Sequence, residues 1–228
     1  MKTTEKLNWN NFMMKFNLSW QPKMKKIIES PQLFQIFQEL KKQSSSGNKL
    51  YPQSKDIFEF LNFDFSKLKV LILGDITRSY SNGLWLDCTN NSIVSNELKY
   101  FYEIVEKDLY TLDFKHDRDN KSLEYLKDQG VMISSLSLVS SNIELFKPFW
   151  ELMFKEIFNT QNGLHIITFG KEVREFVMCN AEPFIHNIYD LDNLTSGDNP
   201  HYSTFSRINK SLEEFNGKEF IINWLKEI

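Results

Sequence analysis

Residues 69–74 read Lys-Val-Leu-Ile-Leu-Gly, a compact apolar run that ends in glycine. A short run of this kind, with no polar alternation, is typical of a strand that is buried on both faces of a sheet. The stretches 131–134 (Val-Met-Ile-Ser), 165–169 (His-Ile-Ile-Thr-Phe) and 184–189 (Phe-Ile-His-Asn-Ile-Tyr) have a similar character. The sequence therefore predicts four buried strands.

Helical patterns separate these runs. The region 22–42 has apolar residues close to 3.6-residue spacing, and Pro31 divides it into two predicted helices. Further helices are predicted over 96–110, 122–128, 148–159, 171–178 and 205–228, the last with a break at Gly217. Alternating strands and helices indicate one α/β domain over residues 1–228. We expect three layers, α/β/α, around a central four-stranded, mainly parallel sheet.

Composition excludes several classes of protein. The net charge of −3 argues against a protein that binds nucleic acid through bulk positive charge, although a local basic face is compatible with it. Cys88 and Cys179 lie far apart, with no zinc-binding spacing, and we find no phosphate-binding loop and no dinucleotide fingerprint. We expect neither a metal nor a cofactor.

The chain also shows no sign of a membrane segment. Residues 1–11 are polar, without the apolar core of a signal peptide, and no apolar run approaches the roughly 20 residues that a membrane-spanning helix needs. The expectation is a cytoplasmic, monomeric protein with reduced cysteines.

Several segments resemble one known family, in the same order and at similar spacing. They are 50–58 (Leu-Tyr-Pro-Gln-Ser-Lys-Asp-Ile-Phe), 70–74 (Val-Leu-Ile-Leu-Gly), 83–86 (Gly-Leu-Trp-Leu), 128–133 (Asp-Gln-Gly-Val-Met-Ile), 149–151 (Phe-Trp-Glu), 205–209 (Phe-Ser-Arg-Ile-Asn) and 222–224 (Ile-Asn-Trp). On these segments the chain resembles the uracil-DNA glycosylases from about Trp9 to Trp224. The resemblance implies a parallel four-stranded sheet between helices, and DNA as a partner.

The resemblance also shows where the catalytic chemistry differs. The family has a loop Gly-Gln-Asp-Pro-Tyr-His, which resembles residues 74–79 here, Gly-Asp-Ile-Thr-Arg-Ser. The aspartate that orients water and stabilises the cationic sugar corresponds to Ile76, and the tyrosine that excludes thymine corresponds to Arg78. An isoleucine neither accepts a proton nor stabilises a cation. Asp75 is the acidic neighbour that remains as a substitute.

The base pocket implied by the resemblance is altered as well. The phenylalanine that stacks on uracil corresponds to Leu86, and the asparagine that reads the base edge corresponds to Ser135. The histidine that stabilises the departing uracil has two counterparts. An ungapped comparison places Tyr189 there, directly after the fourth predicted strand, and a deletion of about ten residues places His201 there.

The family's contacts with the DNA backbone carry over to a set of polar or loop residues. The candidates are Tyr51, Pro52, Ser54, Lys171 and Ser203.

Three functional hypotheses follow. The first is a catalytically degenerate homologue that binds DNA or a protein partner, such as a replication or repair factor. The second is an active or weakened uracil-DNA glycosylase, in which Asp75, His201 or both replace the usual catalytic pair. The third is an enzyme with the same fold and a different substrate.

Overall fold

The apolar run at 69–74 forms the central part of the sheet. A computed structural model describes residues 17–52, 56–77, 81–88, 93–109, 117, 119–140, 142–182, 184–191 and 203–226. In this structure the apolar run belongs to strand β1, Val70–Ile76. The other strands are β2 (Val131–Ser137), β3 (His165–Phe169) and β4 (Asn187–Leu191). All pairings are parallel and the strand order is β2-β1-β3-β4, which confirms the predicted four-stranded sheet.

Seven helices surround the sheet in the described part of the chain. They are α1 (Gln21–Ile28), α2 (Pro31–Ser45), α3 (Asn96–Leu109), α4 (Glu124–Lys127), α5 (Lys147–Glu156), α6 (Lys171–Asn180) and α7 (Thr204–Asn216). Pro31 begins α2 and the Ser30 side chain accepts the backbone N–H of Leu33, so the predicted division of region 22–42 is confirmed.

The two faces of the sheet bury separate apolar clusters. Leu71 and Leu73 of β1 pack with α1, α2, α5 and α6, whereas Val70 and Ile72 pack with α3 and α7. This alternation follows from the period of two in a strand, and it confirms the three-layer α/β/α arrangement.

Several predicted boundaries were wrong. Strand β1 continues beyond Gly74 to Ile76, and β4 begins at Asn187 rather than at Phe184, which is fully exposed. Helix α7 ends at Asn216, and within the described residues a single 3₁₀ turn, Lys218–Phe220, follows Gly217. The segment after that turn is not helical because the side-chain amide of Asn209 binds both the N–H and the C=O of Ile222.

Among the described residues, no helix is long and apolar enough to cross a membrane. Within the same residues, no group of three or more His, Cys, Asp or Glu side chains is arranged to hold a metal ion.

Candidate functional site

The topology of the sheet locates the candidate site at the carboxyl ends of β1 and β3. The chain passes from β1 to β2 on one side and then returns to β3 on the other, so the connections diverge between β1 and β3. Ligands of open α/β sheets bind at such a point. The pairing of β1 with β3 stops at Leu73 and Thr168, so the last residues of β1 extend beyond β3 into this region.

Ile76 ends β1 as an ordinary strand residue. It pairs with Ser137 of β2, and its half-buried side chain packs against the apolar cluster that contains Leu71 and Leu73. The position that the resemblance matches to a catalytic aspartate therefore contributes to the core and presents no proton acceptor.

Asp75, the expected substitute, also lies within β1. It is half-buried, and its Oδ1 accepts the backbone N–H of Ile76 at 2.7 Å. One carboxylate oxygen is thus used locally, on the backbone of the strand that carries it.

The hydroxyl of Ser135 is engaged inside the protein. Ser135 is 1% exposed; its Oγ lies 2.6 Å from Oγ1 of Thr77 and donates to the carbonyl of Ser137 at 2.8 Å. Thr77 Oγ1 donates to the same carbonyl at 2.9 Å. Because each hydroxyl has only one proton, the two share their donors between each other and this carbonyl. The single proton of the hydroxyl at the expected base-reading position is therefore engaged inside the protein.

Thr77 is a member of this site that the sequence analysis missed. It is 2% exposed, and its backbone N–H also donates to the carbonyl of Ser137, at 3.2 Å. No motif singles it out, because its partner Ser135 lies 58 positions away and is brought close only by the pairing of β1 with β2.

The segment 83–86 contributes buried apolar groups beside β1. Leu86, which the resemblance matches to a stacking phenylalanine, is 4% exposed and has a positive φ of 69°, which is uncommon for a non-glycine residue. The neighbouring Trp85 lies directly over Gly74, where an added β-carbon would be 1.9 Å from the indole, and its ring centroid lies 4.9 Å from that of Phe169. No motif in the sequence indicates this role of Trp85.

The structure corrects the argument for Tyr189. The ungapped comparison put it directly after the fourth strand, but Tyr189 lies in the middle of β4, paired with Ile167. Its hydroxyl is 3.2 Å from Nδ1 of His165, the first residue of β3, and the guanidinium of Arg207 covers its ring at 5.6 Å. The hydroxyl is therefore directed toward the amino ends of the strands, away from the candidate site.

His165 shares this buried environment. It is 2% exposed, and burial lowers its pKa to about 4. Burial also raises the pKa of the Tyr189 hydroxyl, an effect that the nearby Arg207 opposes. Both groups are consequently neutral at physiological pH, and they act as a structural pair.

Two of the expected DNA-backbone contacts lie together beside the site. The backbone N–H of Tyr51 donates to Ser140 Oγ at 3.0 Å, and the Ser140 N–H donates to the Tyr51 carbonyl at 2.6 Å. Ser140 lies shortly after β2, so Tyr51 and the buried Pro52 are held at the carboxyl end of the sheet.

Lys171 and Ser203 are exposed at the amino ends of α6 and α7. The start of α7 already holds an anion, because Asp108 Oδ2 accepts the N–H groups of Phe205 and Ser206 at 2.6 and 3.1 Å. An internal carboxylate thus satisfies the backbone groups that a phosphate would otherwise bind beside Ser203.

Acidic partners accompany the cations near this edge of the sheet. Lys147 pairs with Glu144 and, at 3.3 Å, with Glu172, and Arg174 pairs with Asp190 at 3.1 Å. Lys171 lies 3.8 Å from Glu175, but its side chain is 87% exposed, so solvent screens that pair. Arg78, His201 and Ser54 lie outside the described residues.

Comparison with known proteins gives a clear result for the fold. No family model matches the chain, and a search of curated proteins finds no match. Solved structures do match: mimivirus uracil-DNA glycosylase has a TM-score of 0.75 at 16% identity, with 92% of this chain and 88% of that chain covered. A variant of the mimivirus protein in complex with UGI has a TM-score of 0.77 at 17% identity, covering 90% of this chain and 88% of that chain.

A bacterial protein extends the comparison. A mutant of the UNG from Nitratifractor salsuginis has a TM-score of 0.61 at 14% identity, with 96% of this chain and 98% of that chain covered. Together with the sheet order and the helices on both faces, these matches show that the chain has the fold of the uracil-DNA glycosylases.

Proposed function

We propose that this protein is a non-catalytic member of the uracil-DNA glycosylase group that binds DNA without excising uracil, as a monomer in the cytoplasm. The observation that carries the proposal is the state of Ser135. Its hydroxyl is buried and bonded to Thr77 and to the carbonyl of Ser137, so it is not presented to a base.

The remaining positions of the candidate site support the same reading. Uracil excision needs a carboxylate to orient water and to stabilise a cationic sugar. Ile76 packs into the core, and Asp75 directs one oxygen to the N–H of Ile76. To bind a base, a protein also needs an aromatic surface that stacks on it and a paired donor and acceptor that read its edge. The Leu86 side chain has no aromatic face, and the single hydroxyl of Ser135 does not supply such a pair.

Retention of the binding scaffold supports DNA as the partner. The backbone bonds between Tyr51 and Ser140 still hold the 51–52 segment at the carboxyl end of β2. Lys171 remains exposed at the start of α6, immediately after β3. Groups of this kind suit contacts with the sugar-phosphate backbone of DNA rather than with its bases. They therefore suit a protein that binds single-stranded or double-stranded DNA with little sequence preference.

The test is an excision assay on single-stranded DNA that contains one uracil, with abasic sites revealed by alkaline cleavage. An active uracil-DNA glycosylase on the same oligonucleotide establishes that the substrate is competent. We expect no cleavage above background for the wild-type protein. We also expect salt-sensitive binding to the same strand, with and without uracil, measured by fluorescence anisotropy.

Two variants separate this proposal from the active or weakened glycosylase. Asp75→Asn removes the expected substitute carboxylate, and Asp119→Asn is the matched control because Asp119 is an exposed aspartate in a turn. Uracil excision by the wild type that is lost in Asp75→Asn and kept in Asp119→Asn would contradict the proposal. An absence of DNA binding at low salt would instead redirect the function to a protein partner, such as a replication or repair factor.

A further inference from the structure

A cavity of about 290 Å³ opens at the amino ends of the strands, at the opposite end of the sheet from the candidate site. Its walls come from three places: the segment 66–69 that leads into β1, the turn at 128–129 before β2, and the chain around the end of α7, including Phe220. Two lysines, Lys67 and Lys69, line it.

Lys69 is held firmly in this wall. Its backbone N–H donates to the carbonyl of Gly130 at 2.9 Å, and its carbonyl accepts the N–H of His165 at 3.0 Å. The side chain is half-buried; Nζ donates to the carbonyl of Phe220 at 3.2 Å and lies 5.1 Å from the centre of the Phe220 ring. The ammonium is therefore fixed in position before any ligand arrives.

The charge of Lys69 is not neutralised by the described part of the protein. An ammonium has three donors, and one is used on Phe220. Asp128 and Glu219 line the cavity but are exposed, and across the described residues neither forms an ion pair with Lys67 or Lys69. Burial, and after it the charge of Lys67, hold the pKa of Lys69 below its usual value.

We propose that this cavity binds an oxyanion of the phosphate class through Lys69, with Lys67 at its entrance. Such an anion accepts the two remaining donors of Lys69 and relieves the repulsion between the two ammonium groups. A half-buried, preformed cation gains more from a charged partner than an exposed one does, because less solvent screens the interaction. The free anion and a phosphate of an organic molecule share this chemistry.

The experiment is a titration of the full-length protein with inorganic phosphate, and the control is a titration with chloride at matched ionic strength. Binding is measured by thermal denaturation and by the broadening of the ³¹P NMR line of phosphate. We expect a phosphate-specific rise in melting temperature. Lys69→Met keeps the aliphatic stem and removes the charge, and we expect it to weaken phosphate binding about tenfold or more. Lys210→Met, on the exposed surface of α7 with an i,i+4 partner in Glu214, should bind phosphate like the wild type.

Lys67→Met provides a second test, in which the replaced side chain is exposed rather than half-buried. Lys67 is exposed, so its replacement should fold normally and weaken phosphate binding by a smaller factor. No phosphate-specific effect in the wild type, or an equal effect in the wild type and in both cavity variants, would overturn the proposal. If single-stranded DNA displaces phosphate, the ligand of this cavity is a phosphate of the nucleic-acid backbone. If DNA leaves phosphate binding unchanged, the ligand is a small phosphate.

Discussion

The hydroxyl of Thr77, just beyond β1, lies 2.6 Å from the hydroxyl of Ser135 in β2, and the two protons of this pair serve both that contact and the carbonyl of Ser137. Two side chains, one just after β1 and one in β2, thus contact each other at the carboxyl end of the sheet. The contribution of this pair to the stability of the sheet can be measured by mutation.

A double-mutant cycle on Thr77 and Ser135 tests this pair. Thr77→Val and Ser135→Ala each remove a buried hydroxyl, and each should lower the free energy of unfolding by about 1 kcal/mol. Because either change removes their mutual bond, the double variant should lose less than the sum of the two. Urea denaturation measures all four proteins; strictly additive losses would show that the two hydroxyls do not interact.

Gly74→Ala tests the packing of Trp85. An added β-carbon would lie 1.9 Å from Cε2 of the indole, so the ring or the strand must move. We expect the free energy of unfolding to fall by about 1–3 kcal/mol, as for other overpacked cores. The same change in a Trp85→Leu background should cost much less, and an equal cost in both backgrounds would mean that Trp85 is not the obstacle.

Asp108 should stabilise the start of α7. Its Oδ2 accepts the N–H groups of Phe205 and Ser206, so Asp108→Ala leaves them without this partner. We expect a loss of about 0.5–2 kcal/mol in the free energy of unfolding. Glu103→Ala, at an exposed position of the same helix α3, is the control and should have little effect.

Stability should fall in mildly acidic solution because of His165. Its folded pKa of about 4 lies below the ordinary value of 6.5, so between these values the unfolded chain binds more protons than the folded protein. The free energy of unfolding should therefore decrease as pH falls from 6.5 to 4, by up to roughly 3 kcal/mol from this group. The pKa of His186 is also lowered, mainly by burial, and adds in the same direction.

The control for this pH effect is His165→Gln, which keeps a polar side chain near Tyr189 and cannot titrate. Unfolding in urea at several pH values between 4 and 7.5 should show a flatter profile for the variant than for the wild type. Parallel profiles would show that His165 is not the group that links stability to pH.

Lys171 and Lys210 form a matched pair for DNA binding. Each is exposed and lies 3.8 Å from a glutamate four residues later, Glu175 and Glu214 respectively, but only Lys171 begins a helix at the carboxyl end of β3. Lys171→Ala should weaken binding to single-stranded DNA and reduce the slope of log K against log salt by about 0.7. Lys210→Ala should change neither quantity; equal effects of the two variants would remove Lys171 from the interface.

The sequence by itself determined the class of fold. Apolar runs such as 70–73 are buried on both faces of the sheet. This burial can be predicted from the sequence because every residue of the run is apolar. Pro31 and Gly217 also mark the helix boundaries locally, since their backbone restrictions act whatever surrounds them. From the identity of Ile76, Leu86 and Ser135 the sequence also predicts a changed pocket, and this stays a prediction.

Only the tertiary structure decided how these residues are used. The bond from Thr77 to Ser135, the contact of Trp85 with Gly74 and the cap of α7 by Asp108 join residues that are distant in sequence or have no local signal. The fourth strand begins later than predicted, and Tyr189 lies within it rather than directly after it, because the register depends on pairing with β3 rather than on the apolar run alone. The local pattern of apolar residues decides which strands and helices form. The partners of individual side chains depend on how those elements pack against one another, which the local pattern does not specify.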